Sequence, residues 1–246
     1  MRLTERDVLV STQYGEMPAF AVYPEAEASP GIIFYMDAPG IREELRAMAR
    51  RIAKRGYYCL LPDLYYRLGT VRLDTSRRDS HMSAVIAACR TGVKVKDVMT
   101  DTAGLLAFLV SEAAVKDGPM GCVGYCFSGP YVVAAGATFP DRFKALASIY
   151  GTGVVTPDED SPHRRIGEIR GEMYFAFAEN DKSIPPATVA QIADALKGAA
   201  VKHSIDVFPA TEHAYCFPER DAFNPAAAEK TWRNVVALWD RNLKGG

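Results

Sequence analysis

Three residues whose types together cleave acyl groups occur in a set order along this 246-residue chain: Cys126, Asp181 and His213. Cys126 stands within Gly124-Tyr125-Cys126-Phe127-Ser128-Gly129, where small neighbours let a strand turn sharply into a helix and expose the apex residue. A helix beginning just past the cysteine points backbone N–H groups and the positive end of its dipole at the sulfur, which favours thiolate over thiol. In such chemistry the thiolate attacks an acyl carbon, a histidine takes the thiol proton and later protonates the leaving group, and a carboxylate selects the useful imidazole tautomer. Each residue also has an ordinary alternative. Cys126 could be a small buried hydrophobe, Asp181 a helix N-terminal acid stabilised by the dipole, and His213 a loop histidine bonded to backbone. Glu179 is a second acid two residues upstream of Asp181. His81 and His163 lie in polar, arginine-bearing stretches and His203 lies within a strand-like run, so they are weaker candidates for the base.

The surrounding pattern supplies elements that can hold these residues. Residues 8–13 and 17–23 read as an opening hairpin, and 31–36 as an unbroken apolar strand. A helix over 42–55 has Leu45, Met48, Ala49, Ile52 and Ala53 at helical spacing and ends at Gly56, where a left-handed cap is wanted. The next strand, 57–61, stops at Pro62, and a polar segment over 63–78 is too long for an ordinary connection, which marks it as a functional loop. Helices follow over 79–89 and 96–114, a strand over 120–123, a small-residue helix over 131–137 and a strand over 145–150. Strands over 172–178 and 202–208 flank a helix over 186–197, and a helix over 225–243 closes the chain with Asn224 as N-cap and Pro225 at its first position. This alternation predicts an α/β fold, one domain over 1–246, with a mostly parallel central sheet and helices on both faces. In such sheets functional residues gather beyond the carboxyl ends of the strands. Cys126, Asp181 and His213 each stand at such an exit, in the chain order of the α/β-hydrolase triad.

Composition limits the partners. With 29 basic against 30 acidic residues, nothing in the charge balance points to nucleic acid or an anionic membrane. Residues 1–7 are charged, and no run approaches the ~18 apolar residues of a membrane span, so a cytoplasmic location is expected. Five cysteines without framework spacing argue against a disulfide scaffold. Cys59, Cys89 and Cys122 fall in apolar runs and read as core.

The chain resembles the dienelactone hydrolase family of α/β-hydrolases over nearly its whole length. The resemblance is carried by Gly-Ile-Ile-Phe-Tyr-Met-Asp at 31–37, Pro-Asp-Leu-Tyr at 62–65, the 124–129 motif, Asp181 with Ile184 and Pro185, and His213 with Phe217, Pro218, Glu219 and Arg220. It implies that Cys126, Asp181 and His213 form the triad and that the backbone N–H groups of Ala38 and Phe127 form the oxyanion hole. Amides at a helix start and after a neighbouring strand are also suited to that role. It further implies that Asp37 contacts the resting thiol, a position held by a glutamate in the best-known members. Ser128 replaces a glycine, and Phe217 stands where those enzymes place an arginine for the substrate carboxylate. The expectation is a cysteine-dependent hydrolase of small esters or lactones, working through an acyl-thioester with no metal or organic cofactor. A thioesterase or transacylase on the same triad is the alternative within enzymes, and a non-catalytic small-molecule binding module the alternative outside them. By loop position Tyr65, Arg67, Tyr150 and Tyr215 join Phe217 as candidate substrate contacts. Arg67, Arg72, Arg77 and Arg78 are the candidates to restore a missing positive charge.

Overall fold

The computed structural model describes residues 1–75 and 79–245. They divide into two compact units, Met1–Gly118 and Pro119–Gly246.

In the first unit β1 (Leu3–Thr12) and β2 (Gly15–Pro24) pair antiparallel from Leu3↔Pro24 to Thr12↔Gly15. The expected hairpin is present, but β1 begins at Leu3 instead of residue 8 and ends one residue earlier than expected, while β2 is longer at both ends; the charged start of β1 carries no burial signal and is held by its partner strand. β3 (Gly31–Tyr35) is buried throughout and pairs parallel with β4 (Tyr58–Pro62), which also pairs antiparallel with β2, giving the order β1-β2-β4-β3. Pro62 ends β4 from inside the strand, where its missing N–H is tolerated at the last position. Between β3 and β4, α1 (Glu43–Ala53) carries Glu43 and Glu44 in its first turn and Arg50 and Arg51 in its last, matching the dipole. Gly56 follows at φ +81°, as its position predicted. The 63–78 segment holds a 3-10 turn at Tyr66–Leu68, and Arg77 and Arg78 lie outside the described residues. α2 (Ser80–Thr91) is capped by Asp79, whose carboxylate accepts the Met82 N–H at 2.8 Å. α3 (Val95–Ser111) lies close on β1: a Cβ at Gly104 would stand 2.6 Å from the Ser11 carbonyl oxygen.

In the second unit β5 (Met120–Tyr125), β6 (Phe143–Ile149), β7 (Glu172–Ala178) and β8 (His203–Phe208) run parallel in the order β5-β6-β7-β8. Their carboxyl ends therefore share one edge, and Cys126, Tyr150, Asp181 and His213 all follow from it. β5, β7 and nearly all of β6 are buried, and each apolar side chain so enclosed contributes about 1.5–3 kcal/mol. α4 (Gly129–Thr138) packs closely because its residues are small; a Cβ at Gly136 would come within 2.6 Å of Leu146. α5 (Pro186–Lys197) matches its expected span. α6 (Pro225–Trp239) starts with the Asn224 side chain accepting the Ala227 N–H at 3.0 Å. The expected single helix to 243 is corrected: the last turn widens into a π-helix at Asp240–Lys244, where Arg241 and Asn242 reach Glu172 at the start of β7. A 3-10 turn at Pro162–Glu168 had no periodic signal in the sequence. Cys59, Cys89 and Cys122 are buried, as expected of core cysteines.

Candidate active site

β5 ends at Tyr125, a 3-10 turn spans Cys126–Ser128, and α4 begins at Gly129. Cys126 holds φ +57°, a left-handed conformation that non-glycine residues rarely adopt, and it is partly exposed while its neighbours are buried. Ser128 staples the turn: its hydroxyl accepts the Tyr125 N–H and donates to the Tyr125 carbonyl, each at 2.9 Å. The flanking glycines are steric requirements. A Cβ at Gly124 would stand 2.6 Å from the Ser128 carbonyl oxygen, and one at Gly129 would stand 2.3 Å from the Gly151 Cα. The Thr152 N–H donates to the Cys126 carbonyl at 2.9 Å. Phe127 follows in the turn with its ring edge-on to Tyr131.

Beyond β7 and β8 two loops extend the pairing of their strands. The Glu179 N–H donates to the Phe208 carbonyl at 3.0 Å and the Asn180 N–H to the Thr211 carbonyl at 2.9 Å. This brings Asp181 and His213 together: Asp181 Oδ2 lies 2.6 Å from His213 Nδ1, while Oδ1 accepts the Ser183 N–H at 2.8 Å. The Asp181 side chain is fully buried and the imidazole partly exposed. With Nδ1 committed to the carboxylate, Nε2 is the imidazole nitrogen left to interact with the Cys126 sulfur, which acts on His213 electrostatically. Burial works against the imidazolium, but Asp181 and the Cys126 sulfur outweigh it and raise the pKa of His213 to about 10. Glu179, the second acid, instead accepts the Ala210 N–H at 2.8 Å. Of the other histidines, His81 is exposed beside Asp79, His163 bonds Ser161 and His203 bonds the Val201 carbonyl.

An aromatic cluster meets the imidazole through Tyr150. Tyr150 stands at 65° to the His213 ring with centroids 5.1 Å apart, and Tyr150 in turn meets Tyr125, Tyr215 and Phe217. Tyr150, Tyr215 and Phe217 have no exposed surface. Tyr150 therefore backs the histidine, and Tyr215 and Phe217 back Tyr150, instead of offering a face to a ligand from solvent; the Tyr215 hydroxyl is paired with Thr231 at 2.8 Å. Cys216, which the sequence reading passed over, sits among the hydroxyls of Tyr150, Thr231 and Tyr215, and burial pushes its thiol up to about 12. No spacing signal in the chain marks that nest; only the fold assembles it.

The remaining predicted residues belong to the first unit. Asp37 is buried just past β3 and held by Arg42, whose guanidinium donates to its two carboxylate oxygens at 2.6 and 3.1 Å. Arg42 also pairs with Glu44. The Asp37 carbonyl accepts the Gly40 N–H at 3.0 Å, which fixes the peptide plane that carries the Ala38 N–H. Tyr65 is buried and donates its hydroxyl to the Ala38 carbonyl at 2.7 Å. Arg67 is engaged by Asp101 at 2.8 Å and Asp97 at 3.3 Å and stacks over the Tyr14 ring at 3.7 Å. These contacts occupy its guanidinium. Arg72 is exposed.

Residues 17–243 match the family model described as the dienelactone hydrolase family. The chain belongs to the dienelactone hydrolase family. A family relative from Synechocystis sp., provisionally named carboxymethylenebutenolidase, is 28% identical over 247 residues, covering 96% of each chain. Another, from Methylorubrum extorquens and provisionally given the same name, is 24% identical over 93% of this chain and 78% of its own. The fold is likewise that of a solved structure from Klebsiella pneumoniae, provisionally named dienelactone hydrolase. It superposes with a TM-score of 0.88 over 98% of this chain and all of that one, at 22% identity. The expected α/β-hydrolase fold, with its mostly parallel strands, is thus the fold of this family member. Among its described residues no group of three or more His, Cys, Asp or Glu side chains is placed to hold a metal ion, and no helix is long and apolar enough to cross a membrane.

Proposed function

We propose that this member of the family hydrolyses small carboxylic esters or lactones with Cys126 as nucleophile, His213 as acid and base, and Asp181 as the group that orients His213. The observation that carries this reading is the chain of contacts from Cys126, at its left-handed apex, through His213 to the buried Asp181 carboxylate. The names of the relatives support a lactone as substrate class. In the first half of the cycle the Cys126 sulfur, its proton held by His213, adds to the carbonyl carbon. The oxyanion that forms is assigned to the N–H groups of Phe127 and Ala38, by resemblance and because preorganised amides stabilise such charge. Collapse breaks the C–O bond, His213 gives its proton to the departing alkoxide, and an acyl-thioester remains; in a lactone the alcohol stays tethered to the acyl group. In the second half His213 takes a proton from water, the hydroxide adds to the thioester, and the sulfur leaves and regains its pairing with the imidazolium. Asp37, held by Arg42, is assigned to the neighbourhood of the resting thiol by resemblance alone. The contacts of Arg67 with Asp101 and Asp97 favour a structural role for it over recognition of a substrate carboxylate.

The test is turnover of an aryl ester by Cys126→Ala. The expected loss is on the order of 10³-fold or more, with the melting temperature little changed because the side chain is small and partly exposed. Full turnover by the variant would remove Cys126 from the reaction.

A further inference from the structure

Residues 150–152, where the chain leaves β6, touch both partners of the Cys126–His213 pair. The Thr152 N–H holds the Cys126 carbonyl at 2.9 Å, and two residues earlier the Tyr150 ring stands edge-to-face with the His213 imidazole at 5.1 Å. Gly151, between them, lies against the start of α4, where a Cβ would come within 2.8 Å of the Gly129 Cα and 2.6 Å of Ser148 Oγ. One short turn thus spans from the backbone of the nucleophile to the ring of the base.

Tyr150 is held there against local preference. Its φ is +36°, an outlier for a bulky residue, and its N–H is fixed by the Ala176 carbonyl at 2.6 Å. Its hydroxyl is buried beside the Cys216 thiol without a well-aligned hydrogen bond. A strained backbone and an unsatisfied hydroxyl both weigh against the fold, so what the position retains is the ring. The imidazole has a use for it. A single bond from Asp181 to Nδ1 leaves the ring free to rock about that bond, and a displacement of about 1 Å between reacting groups costs on the order of 10²-fold in rate. The Tyr150 ring, itself packed by Tyr125, Tyr215 and Phe217, stands edge-to-face against the imidazole where it would oppose that motion.

We propose that Tyr150 is a positioning residue that acts through its ring to hold His213 in line with Cys126, residues 150–152 setting the distance between base and nucleophile. The proposal rests on the assignment of Cys126 and His213 made above. It is tested with Tyr150→Phe, which keeps the ring, and Tyr150→Leu, which does not, using p-nitrophenyl acetate as substrate and iodoacetamide as probe of the thiol. Tyr150→Phe is expected to keep kcat within about twofold, and Tyr150→Leu to lose on the order of tenfold or more in kcat with KM within about twofold. The pH profile of Cys126 alkylation is expected to shift in Tyr150→Leu and not in Tyr150→Phe, since only the former loosens the imidazole beside the sulfur. A folded Tyr150→Leu with the parent kcat and alkylation profile overturns the proposal, as does equal impairment of both variants. Should Tyr150→Leu not fold, the parent protein decides. A nuclear Overhauser contact between the Tyr150 and His213 rings that survives alkylation of Cys126 supports the proposal, and its loss overturns it. Cys126→Ala separates the two levels: if that variant is fully active, the assignment itself fails. If it is inactive while Tyr150→Leu behaves as the parent, only the positioning role fails.

Discussion

At His213 burial and pairing act in opposite directions, and pairing prevails. The imidazole loses water, yet the Asp181 carboxylate at 2.6 Å and the Cys126 sulfur raise its pKa from the ordinary 6.5 to about 10. Because the folded value lies above the unfolded one, the stability this adds is fully present below about pH 6.5 and is lost as pH rises through about 10. In the proposed mechanism the same protonation serves the chemistry, as leaving-group departure needs the imidazolium. We predict that kcat/KM for an aryl ester holds through neutral pH and falls as pH rises through about 10. In Asp181→Asn the amide supplies neither the charge nor the tautomer selection, so turnover drops on the order of 10³-fold and the alkaline limb moves to lower pH. The gap in melting temperature between parent and Asp181→Asn is expected to be widest just below about pH 6.5, to narrow through neutrality and to close above about pH 10. An unaltered alkaline limb in the variant would return the acid role to Glu179. The proposed triad of Cys126, Asp181 and His213 was legible in the sequence because type and strand-exit position coincide three times. Tyr150 and Cys216 were not legible in these roles, since no periodicity encodes which side chains a parallel sheet gathers around one imidazole.

Among the elements, the elbow and the C-terminal clasp contrast in how the chain encodes them. Gly124, Ser128 and Gly129 each answer a local requirement, so the turn after β5 was readable from six residues. The end of α6 is tied to Glu172, about 70 residues away in the chain, and the apolar periodicity over 225–243 continued without a break across the π-turn where this contact is made. Burial alone would raise the pKa of the Glu172 carboxyl, but bonds from Arg241, Asn242 and Lys202 hold it down at about 2. Its folded pKa being depressed, the clasp contributes its stability above the ordinary 4.5 and loses it as pH falls through about 2. Glu172→Gln, which leaves Arg241 without its carboxylate, is expected to cost about 2 kcal/mol at neutral pH and little near pH 2. Denaturant titration of both proteins at pH 7 and near pH 2 measures this. Equal losses at the two pH values would mean that the clasp acts through packing and not through charge.

Over the whole molecule, the opening hairpin and the strand-helix alternation pointed to a mostly parallel sheet with helices on both faces, the order of Cys126, Asp181 and His213 and the resemblance narrowed this to the α/β-hydrolase fold, and the family match over residues 17–243 agrees with that reading. What the pattern left unread were stretches without periodicity, such as the 3-10 turn at Pro162–Glu168, and strand ends such as 3–7, where exposed charged residues pair only because a partner strand lies beside them. Substrate preference has the same limit. Phe217 marked a lost arginine in the sequence, but only packing places its ring against Tyr125 and Tyr150, and only the pairing with Asp101 and Asp97 shows what holds Arg67. The central claim concerns Cys126, and the most direct measurement is the mass of the protein quenched in acid during steady-state turnover of an aryl lactone. Ring opening expels no atoms, so the account predicts an adduct equal to the full mass of the lactone on the peptide containing Cys126, labile to hydroxylamine and absent from Cys126→Ala. Full turnover by Cys126→Ala, or an adduct carried by another residue, would contradict it.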